Sequence, residues 1–236
     1  MSERRAEISH ALAQLEDEIS AACTAAGRDR SEITLIAVTK TYPVSDIEIL
    51  YDLGVRNFGE NRDQEGSEKA PQLPSDAHWH FQGQIQSKKI KTIVEWAQTI
   101  HSVDQLDHAR KVSERSPGHE ILIQVNLDQP KLIDGAMRLP EHRGGVHPLE
   151  LSEFIAAVSS QTDLTVSGLM AVAPLGEDPA QAFNRLHMLF QQAQRELPSI
   201  TILSAGMSGD FAAAIACGAT HIRVGSSILG IRPPLT

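Results

Sequence analysis

The stretch Ile33-Thr34-Leu35-Ile36-Ala37-Val38-Thr39-Lys40 (residues 33–40) is a run of apolar and β-branched residues that ends in a lysine. Such a run, bounded by polar sequence, predicts a β-strand. A segment with helical spacing of its apolar residues follows at about residues 45–53. The first unit of the chain is therefore predicted to be a strand followed by a helix, with Lys40 directly after the strand.

The alternation of strand and helix continues to the end of the chain. Seven further strands are predicted near residues 55–58, 78–82, 99–102, 120–126, 164–170, 200–203 and 220–224. Helices are predicted near residues 62–70, 87–95, 103–115, 148–160, 179–197 and 209–217. Eight strands with intervening helices predict one closed (β/α)8 TIM barrel that spans residues 1–236 as a single domain. The second and fourth strands are short and polar, so an open doubly wound sheet stays an alternative.

Two segments lie outside this repeating pattern. Apolar residues recur at helical spacing over residues 3–26, from Ile8 to Ala22, and Gly27 follows where a helix end favours glycine, which predicts an additional N-terminal helix. Residues 128–147 are predicted to be one long irregular connection, which in a barrel would project from the catalytic face as a mobile loop.

Composition excludes several classes of protein. The formal net charge of -9 disfavours nucleic acid as a partner, and no apolar run is long enough to span a membrane. The charged N-terminus does not resemble a secretory signal. Only two cysteines are present, Cys23 and Cys217, which is too few for a disulfide framework. A cytoplasmic protein is expected, and a monomer is favoured because no association domain is visible.

Polar residues follow most of the predicted strands, where a barrel places its active site. Lys40 stands out among them, because a lysine shielded from water at a strand end can lose its proton and attack an aldehyde. A lysine that merely extends to solvent would occupy the same position. His78 and His80 alternate on one strand and could suit a metal, but the sequence shows no third ligand near them.

A glycine- and serine-rich turn follows each of the last two predicted strands. Gly206 to Gly209 and Gly225 to Ser227 would place backbone N–H groups and hydroxyls beside helix starts, and barrel enzymes often bind phosphate there. Ser208 could instead cap the helix predicted from Gly209. An amine and a phosphate site across one barrel mouth suit pyridoxal phosphate, or equally a phosphorylated sugar bound as a Schiff base in an aldolase.

The sequence resembles the YggS-like pyridoxal phosphate homeostasis proteins over nearly its whole length. The resemblance rests on six motifs taken in order: Ala37-Val38-Thr39-Lys40, Phe58-Gly59-Glu60-Asn61, Trp79-His80-Phe81-Gln82-Gly83, Gly168-Leu169-Met170, Leu203-Ser204-Ala205-Gly206-Met207-Ser208 and Arg223-Val224-Gly225-Ser226. It implies a barrel like the N-terminal domain of alanine racemase, with pyridoxal 5'-phosphate as cofactor.

The resemblance also implies a role for each site residue. Lys40 would hold the cofactor as a Schiff base, and Asn61 and Met207 would lie beside it. Ser208, Gly225 and Ser226 would hold the phosphate. Arg223 would face the pyridine nitrogen and keep it unprotonated, which weakens the ring as an electron sink.

The resemblance favours a binding protein for vitamin B6 and amino-acid homeostasis over an enzyme. An amino-acid racemase is the alternative, and it needs a second acid or base opposite Lys40. In racemases that group is a tyrosine from a further domain, and here only Tyr42 and Tyr51 are present, both in the first strand–helix unit with Tyr42 near Lys40 itself. Enzymes that use pyridoxal phosphate are the expected partners. Arg143 stands where the family usually has a lysine, so a role for that lysine is in doubt.

Overall fold

The computed structural model describes residues 3–129 and 144–230, and the backbone of residues 131–133 and 136–138 between them. The strands are β1 Thr34–Val38, β2 Asn57–Glu60, β3 His78–Phe81, β4 Thr99–Val103, β5 Glu120–Gln124, β6 Lys131–Ile133, β7 Ala136–Arg138, β8 Thr165–Met170, β9 Ile202–Ser204 and β10 His221–Val224. The helices are α1 Glu3–Ala25, α2 Val44–Asp52, α3 Asp63–Lys69, α4 Ile90–Trp96, α5 Leu106–Arg115, α6 Leu151–Gln161, α7 Pro179–Glu196, α8 Phe211–Ala216 and α9 Ser226–Leu229.

Eight of the strands form a closed parallel barrel in the order β1-β10-β9-β8-β5-β4-β3-β2. Ala37 of β1 pairs with Phe58 of β2 on one side and with Val224 of β10 on the other, which closes the ring. The predicted TIM barrel is confirmed. An open sheet was the alternative because the second and fourth strands are short and polar. Both strands belong to the closed barrel.

Helix α1 precedes the repeating strands and helices, and its apolar face is buried, as the spacing of its apolar residues predicts. Ile8, Leu12, Leu15 and Ile19 are all buried, and the helix packs against α2, α8 and α9. None of the helices in the described part combines the length and the apolar character that a membrane crossing requires.

The connection over residues 128–147 differs from the irregular loop that was predicted. It contains the antiparallel pair β6 and β7, in which Leu132 pairs with Met137. The sequence carries a signal for this hairpin, because Asp134-Gly135 between apolar residues is a common hairpin turn. Residues 130, 134–135 and 139–143 lie outside the described residues, and the departure at Arg143 falls among them.

Element ends differ from their predicted positions by a few residues where hydrogen bonding between strands sets them. β2 begins at Asn57 and runs to Glu60, so Gly59 and Glu60 lie within the strand rather than after it. Both residues pair with β3, Gly59 with His80 and Glu60 with Phe81. Two helices begin later than predicted because short 3-10 turns, Ser87–Lys89 and Pro148–Glu150, precede them.

Candidate functional site

A cavity of about 120 Å³ lies at the carboxyl ends of the barrel strands. Its lining residues are Val38, Lys40, Asn61, Gln82, Met170, Val172, Met207, Arg223 and Gly225. Five of the seven predicted site residues are therefore brought together in one wall: Lys40, Asn61, Met207, Arg223 and Gly225. A larger cleft of about 490 Å³ opens at the other end of the barrel, beside the amino ends of β1 and β2, far from these side chains.

The two remaining predicted residues, Ser208 and Ser226, lie next to each other in the loops that follow β9 and β10. The Ser226 hydroxyl donates to the Ser208 hydroxyl at 3.1 Å. Within the described part of the chain, the N–H groups of Ser208 and Gly225 donate to no backbone acceptor. Two adjacent hydroxyls and two backbone donors on these loops form a set that suits an anion such as phosphate.

The alternative in which Ser208 caps a helix from Gly209 is wrong. Helix α8 begins at Phe211 with Asp210 in the N-cap position, and the Asp210 carboxylate accepts the N–H of Met207 at 2.6 Å. Asp210 therefore shapes the loop and leaves Ser208 available. Gly206, at φ +94°, allows this turn, because a Cβ there would lie 2.8 Å from the Cα of Phe211.

Lys40 is half-buried, and its backbone is held from both sides by a buried ion-pair cluster. The Lys69 ammonium donates to the carbonyl of Thr39 at 2.9 Å and to the carboxylates of Glu60 and Glu65, each at 2.8 Å. Glu65 also accepts the N–H of Thr41, whose φ of 71° is uncommon outside glycine. Burial raises the pKa of Glu60, although Lys69 acts in the opposite direction. The cluster thus fixes the two residues that flank Lys40.

Arg223 forms the floor of the cavity as a buried cation. Its guanidinium donates to the Ser204 hydroxyl at 2.7 Å and to the Ala171 carbonyl at 2.9 Å. Burial lowers the pKa of Arg223 to about 10, so the side chain is still charged at neutral pH. Among the described residues no carboxylate forms an ion pair with it. A buried cation whose partners are neutral favours an anionic ligand beside it.

Gln82 is a cavity residue that the sequence analysis did not select. It directly follows β3, and its Nε2 is buried with no hydrogen-bond partner in the part of the chain that the structure describes. The predicted strand, residues 78–82, included Gln82, whereas the observed strand ends at Phe81 and leaves Gln82 at the strand end that faces the cavity. Gly83 has a different function: a Cβ there would lie 1.9 Å from the Asn61 carbonyl oxygen, so only glycine permits this approach.

The three apolar wall residues Val38, Met170 and Val172 carry no chemical signal in sequence. Apolar residues at strand ends occur in every barrel, and only closure shows which of them face the cavity. Together they give the cavity an apolar side that could contact a flat ring.

His78 and His80 lie on one face of β3 with ring centroids 4.6 Å apart. Both rings form hydrogen bonds with other side chains of the protein. His78 contacts the Thr99 hydroxyl at 2.9 Å, and His80 contacts Asn57 at 3.0 Å and His101 at 2.9 Å. In the described residues, no group of three or more histidine, cysteine, aspartate or glutamate side chains is arranged to hold a metal ion.

Neither tyrosine lies in the wall of the cavity. Tyr42 is buried and its hydroxyl donates to the Gly230 carbonyl at 2.6 Å, whereas Tyr51 donates to Asp76 at the protein surface.

Comparison with known proteins gives consistent matches. The family model described as alanine racemase, N-terminal domain, matches residues 11–233. The pyridoxal phosphate homeostasis protein of Mycobacterium leprae (strain TN) is 36% identical over 251 residues, which cover 97% of this chain and 94% of that protein.

Two solved structures extend the comparison. PipY of Synechococcus elongatus PCC7942, solved with PLP bound, superposes with a TM-score of 0.75 at 33% identity, covering 94% of this chain and 100% of that chain. Alanine racemase of Corynebacterium glutamicum has a TM-score of 0.70 at 14% identity, covering 98% of this chain and 63% of the racemase. At that identity the racemase bears on the fold alone.

Proposed function

The chain belongs to the family of pyridoxal phosphate homeostasis proteins, and we propose on that basis that it binds pyridoxal 5'-phosphate in the cavity at the barrel mouth. The observation that carries the proposal is the presence of Lys40 and the buried cation Arg223 in one small cavity. The amine can react with an aldehyde, and the cation favours a ligand that is itself anionic.

The residues present fit the chemical groups of this cofactor. The hydroxyls of Ser208 and Ser226, with the N–H groups of Ser208 and Gly225, would hold the phosphate. Arg223 would donate to the pyridine nitrogen, and Asn61 and Met207 would lie beside the ring. The buried Nε2 of Gln82 would gain an acceptor, which removes the cost of leaving it unpaired.

Lys40 would hold the cofactor covalently as a Schiff base. Its amine would supply the nucleophile for the aldehyde, whose oxygen would leave as water. Bound in this way the cofactor supplies an electron-withdrawing ring, and a donor such as Arg223 at the ring nitrogen limits that effect because the nitrogen stays unprotonated.

Absorbance and borohydride trapping test the Schiff base directly. Purified protein mixed with pyridoxal phosphate is expected to gain an absorbance band near the short-wavelength edge of the visible range. Treatment with borohydride is then expected to leave a cofactor adduct on the peptide that contains Lys40. Lys40→Ala should lose both, whereas Lys88→Ala should keep both because Lys88 is an exposed residue away from the cavity. An adduct that persists in Lys40→Ala would refute this assignment.

We further propose that the protein acts as a carrier or regulator of the cofactor in the homeostasis of vitamin B6 and amino acids. A racemase needs a second proton donor or acceptor opposite the lysine. In the described structure the Tyr42 hydroxyl donates to Gly230 and the Tyr51 hydroxyl to Asp76, and neither residue lines the cavity. Apo-enzymes that require pyridoxal phosphate are the partners that this role requires.

Two measurements separate the carrier from the enzyme. As a carrier, the loaded protein should restore activity to a pyridoxal-phosphate-dependent apo-enzyme faster than the spontaneous release of cofactor from the protein allows. As a racemase, it should exchange the α-proton of an amino acid with solvent deuterium at enzymatic rates. Exchange that disappears in Lys40→Ala would overturn the carrier assignment.

A further inference from the structure

A chain of hydrogen bonds runs through the barrel interior to Arg223. It starts at the Asn57 side chain, which contacts His80 Nε2 at 3.0 Å, and continues from His80 Nδ1 to His101 Nε2 at 2.9 Å. His101 Nδ1 lies 3.1 Å from the Ser204 hydroxyl, and that hydroxyl accepts from Arg223 at 2.7 Å. β4 and β9 are not neighbours in the sheet, so the link from His101 to Ser204 crosses the barrel.

The donors and acceptors of this chain are consistent with a single direction. A guanidinium can only donate, so Ser204 accepts from Arg223 and its own proton is available for His101 Nδ1. His101 then carries its proton on Nε2 and donates to His80 Nδ1. His80 in turn donates from Nε2 to the Asn57 oxygen, which can only accept. In this direction each ring carries a single proton, on Nε2.

The surroundings of the two rings keep them uncharged. Burial lowers the pKa of His80 and of His101 well below the usual value. The other titratable groups near them are His78, with its ring centroid 4.6 Å from that of His80, and His221 at 6.5 Å. The charge of Arg223 acts on His101 in the same direction as burial. Glu120, the acid that acts on the neighbouring rings of His78 and His221, accepts from the Thr99 hydroxyl.

We propose that His101 and His80 are positioning residues that act through Ser204 to hold the Arg223 guanidinium at the floor of the cavity. A guanidinium has five N–H donors, and the bonds to Ser204 and Ala171 occupy two of them. With these two contacts fixed, the group keeps one orientation toward the cavity. The consequence for the cofactor rests on the proposed function, whereas the hydrogen-bond chain itself does not.

Histidine NMR tests the chain in protein without cofactor. Long-range 1H–15N spectra of protein labelled in histidine are expected to show His80 and His101 neutral, with the proton on Nε2, throughout pH 6–8. Ser204→Ala should shift the Nδ1 resonance of His101 and leave His78 unchanged. A proton on Nδ1 of either ring, or a charged ring at pH 7, would overturn the proposal.

Cofactor affinity tests the consequence for Arg223. His101→Leu breaks both links and is expected to weaken binding of pyridoxal phosphate by about 10-fold, with a shift in the absorbance band. His101→Gln keeps one donor and one acceptor and should stay within about 3-fold of the wild type. His78→Gln, on the same strand but outside the chain, should leave affinity unchanged and serves as the control.

The outcomes distinguish this inference from the proposed function. Wild-type affinity in His101→Leu, or equal loss in the Leu and Gln variants, would show that the ring acts only by packing and would overturn the inference. Failure of the wild type to bind pyridoxal phosphate would instead overturn the proposed function. If His101→Leu does not fold, Ser204→Ala, which breaks the same chain and is expected to weaken binding by about 10-fold, carries the test.

Discussion

At the scale of single residues, Lys69 is the buried charge on which the position of Lys40 depends. Lys69→Met keeps most of the length of the side chain but removes its three hydrogen bonds, to Thr39, Glu60 and Glu65. Because breaking a buried pair leaves a carboxylate without compensation, the free energy of unfolding in urea is expected to fall by about 3–5 kcal/mol. Affinity for the cofactor should fall with it.

The control for this substitution is Lys91→Met on helix α4. Lys91 is exposed, so its replacement should change the free energy of unfolding by no more than about 0.5 kcal/mol. A loss below about 1 kcal/mol in Lys69→Met would contradict the role given to the cluster, since an exposed lysine behaves in that way.

At the scale of elements, the junction of β10 and α9 is expected to bind the phosphate. Ser226→Ala removes a hydroxyl that contacts Ser208. Because the variant would lose one hydrogen bond to the charged phosphate, its affinity for pyridoxal phosphate is expected to fall by about 10-fold. Pyridoxal, which lacks the phosphate, should bind the variant and the wild type equally. Both affinities are measured by absorbance titration.

Ser227→Ala provides a neighbouring control on the same short helix. Ser227 is exposed, and its replacement should change neither affinity. If Ser226→Ala weakened pyridoxal as much as pyridoxal phosphate, the junction would act on the whole ligand, and its assignment to the phosphate would be wrong.

Helix α1 is the other element whose contribution can be measured. The side chain of Leu15 is 1% exposed, and truncating a fully buried leucine removes apolar contacts and leaves a cavity. Leu15→Ala is expected to lower the free energy of unfolding by about 2–5 kcal/mol in urea. Gln14→Ala, at an exposed position of the same helix, should be close to neutral. Equal effects would show that α1 does not pack as described.

At the scale of the whole molecule, buried neutral histidines make stability depend on pH. Burial lowers the pKa of five described histidines, well below the usual value for His80 and His101 and to about 4 for His221. Below about pH 6.5 these histidines bind protons in the unfolded chain but stay neutral in the folded protein. The free energy of unfolding is therefore highest above that pH and falls as the pH decreases.

The free energy of unfolding, measured in urea between pH 7.5 and 5, is expected to fall by about 1.4 kcal/mol per pH unit for each fully shifted histidine. Glu60, whose pKa is raised, opposes this by at most one proton, so the histidines decide the sign. His101→Gln should reduce this slope by the contribution of about one proton, about 1.4 kcal/mol per pH unit. His10→Gln, at an exposed position of α1, should leave the slope unchanged. A flat profile from pH 7 to pH 5 would refute the neutral buried rings.

Residue patterns alone predicted the fold class, the strand-end position of Lys40 and the two glycine- and serine-rich turns. Strand and helix periodicities are local properties, so the eight strands and α1 could be predicted with errors of only a few residues at their ends. Lys40 and the turns around Gly206 and Gly225 could be predicted to share one mouth because a parallel barrel brings the ends of all its strands together, whereas the roles of Asn61, Met207 and Arg223 came from the family resemblance. The hairpin β6–β7 was missed although its turn signal, Asp134-Gly135, is local.

Only the tertiary structure decided which side chains contact one another. Lys69 contacts the Thr39 carbonyl, which lies far from it in sequence, and the link from His101 to Ser204 joins strands that are not neighbours. Such contacts depend on how the strands stagger as the barrel closes, and periodicity carries no information about stagger. The sequence by itself therefore determined that an amine and an anion site share the barrel mouth, and the closed barrel decided what holds the amine and the arginine in place.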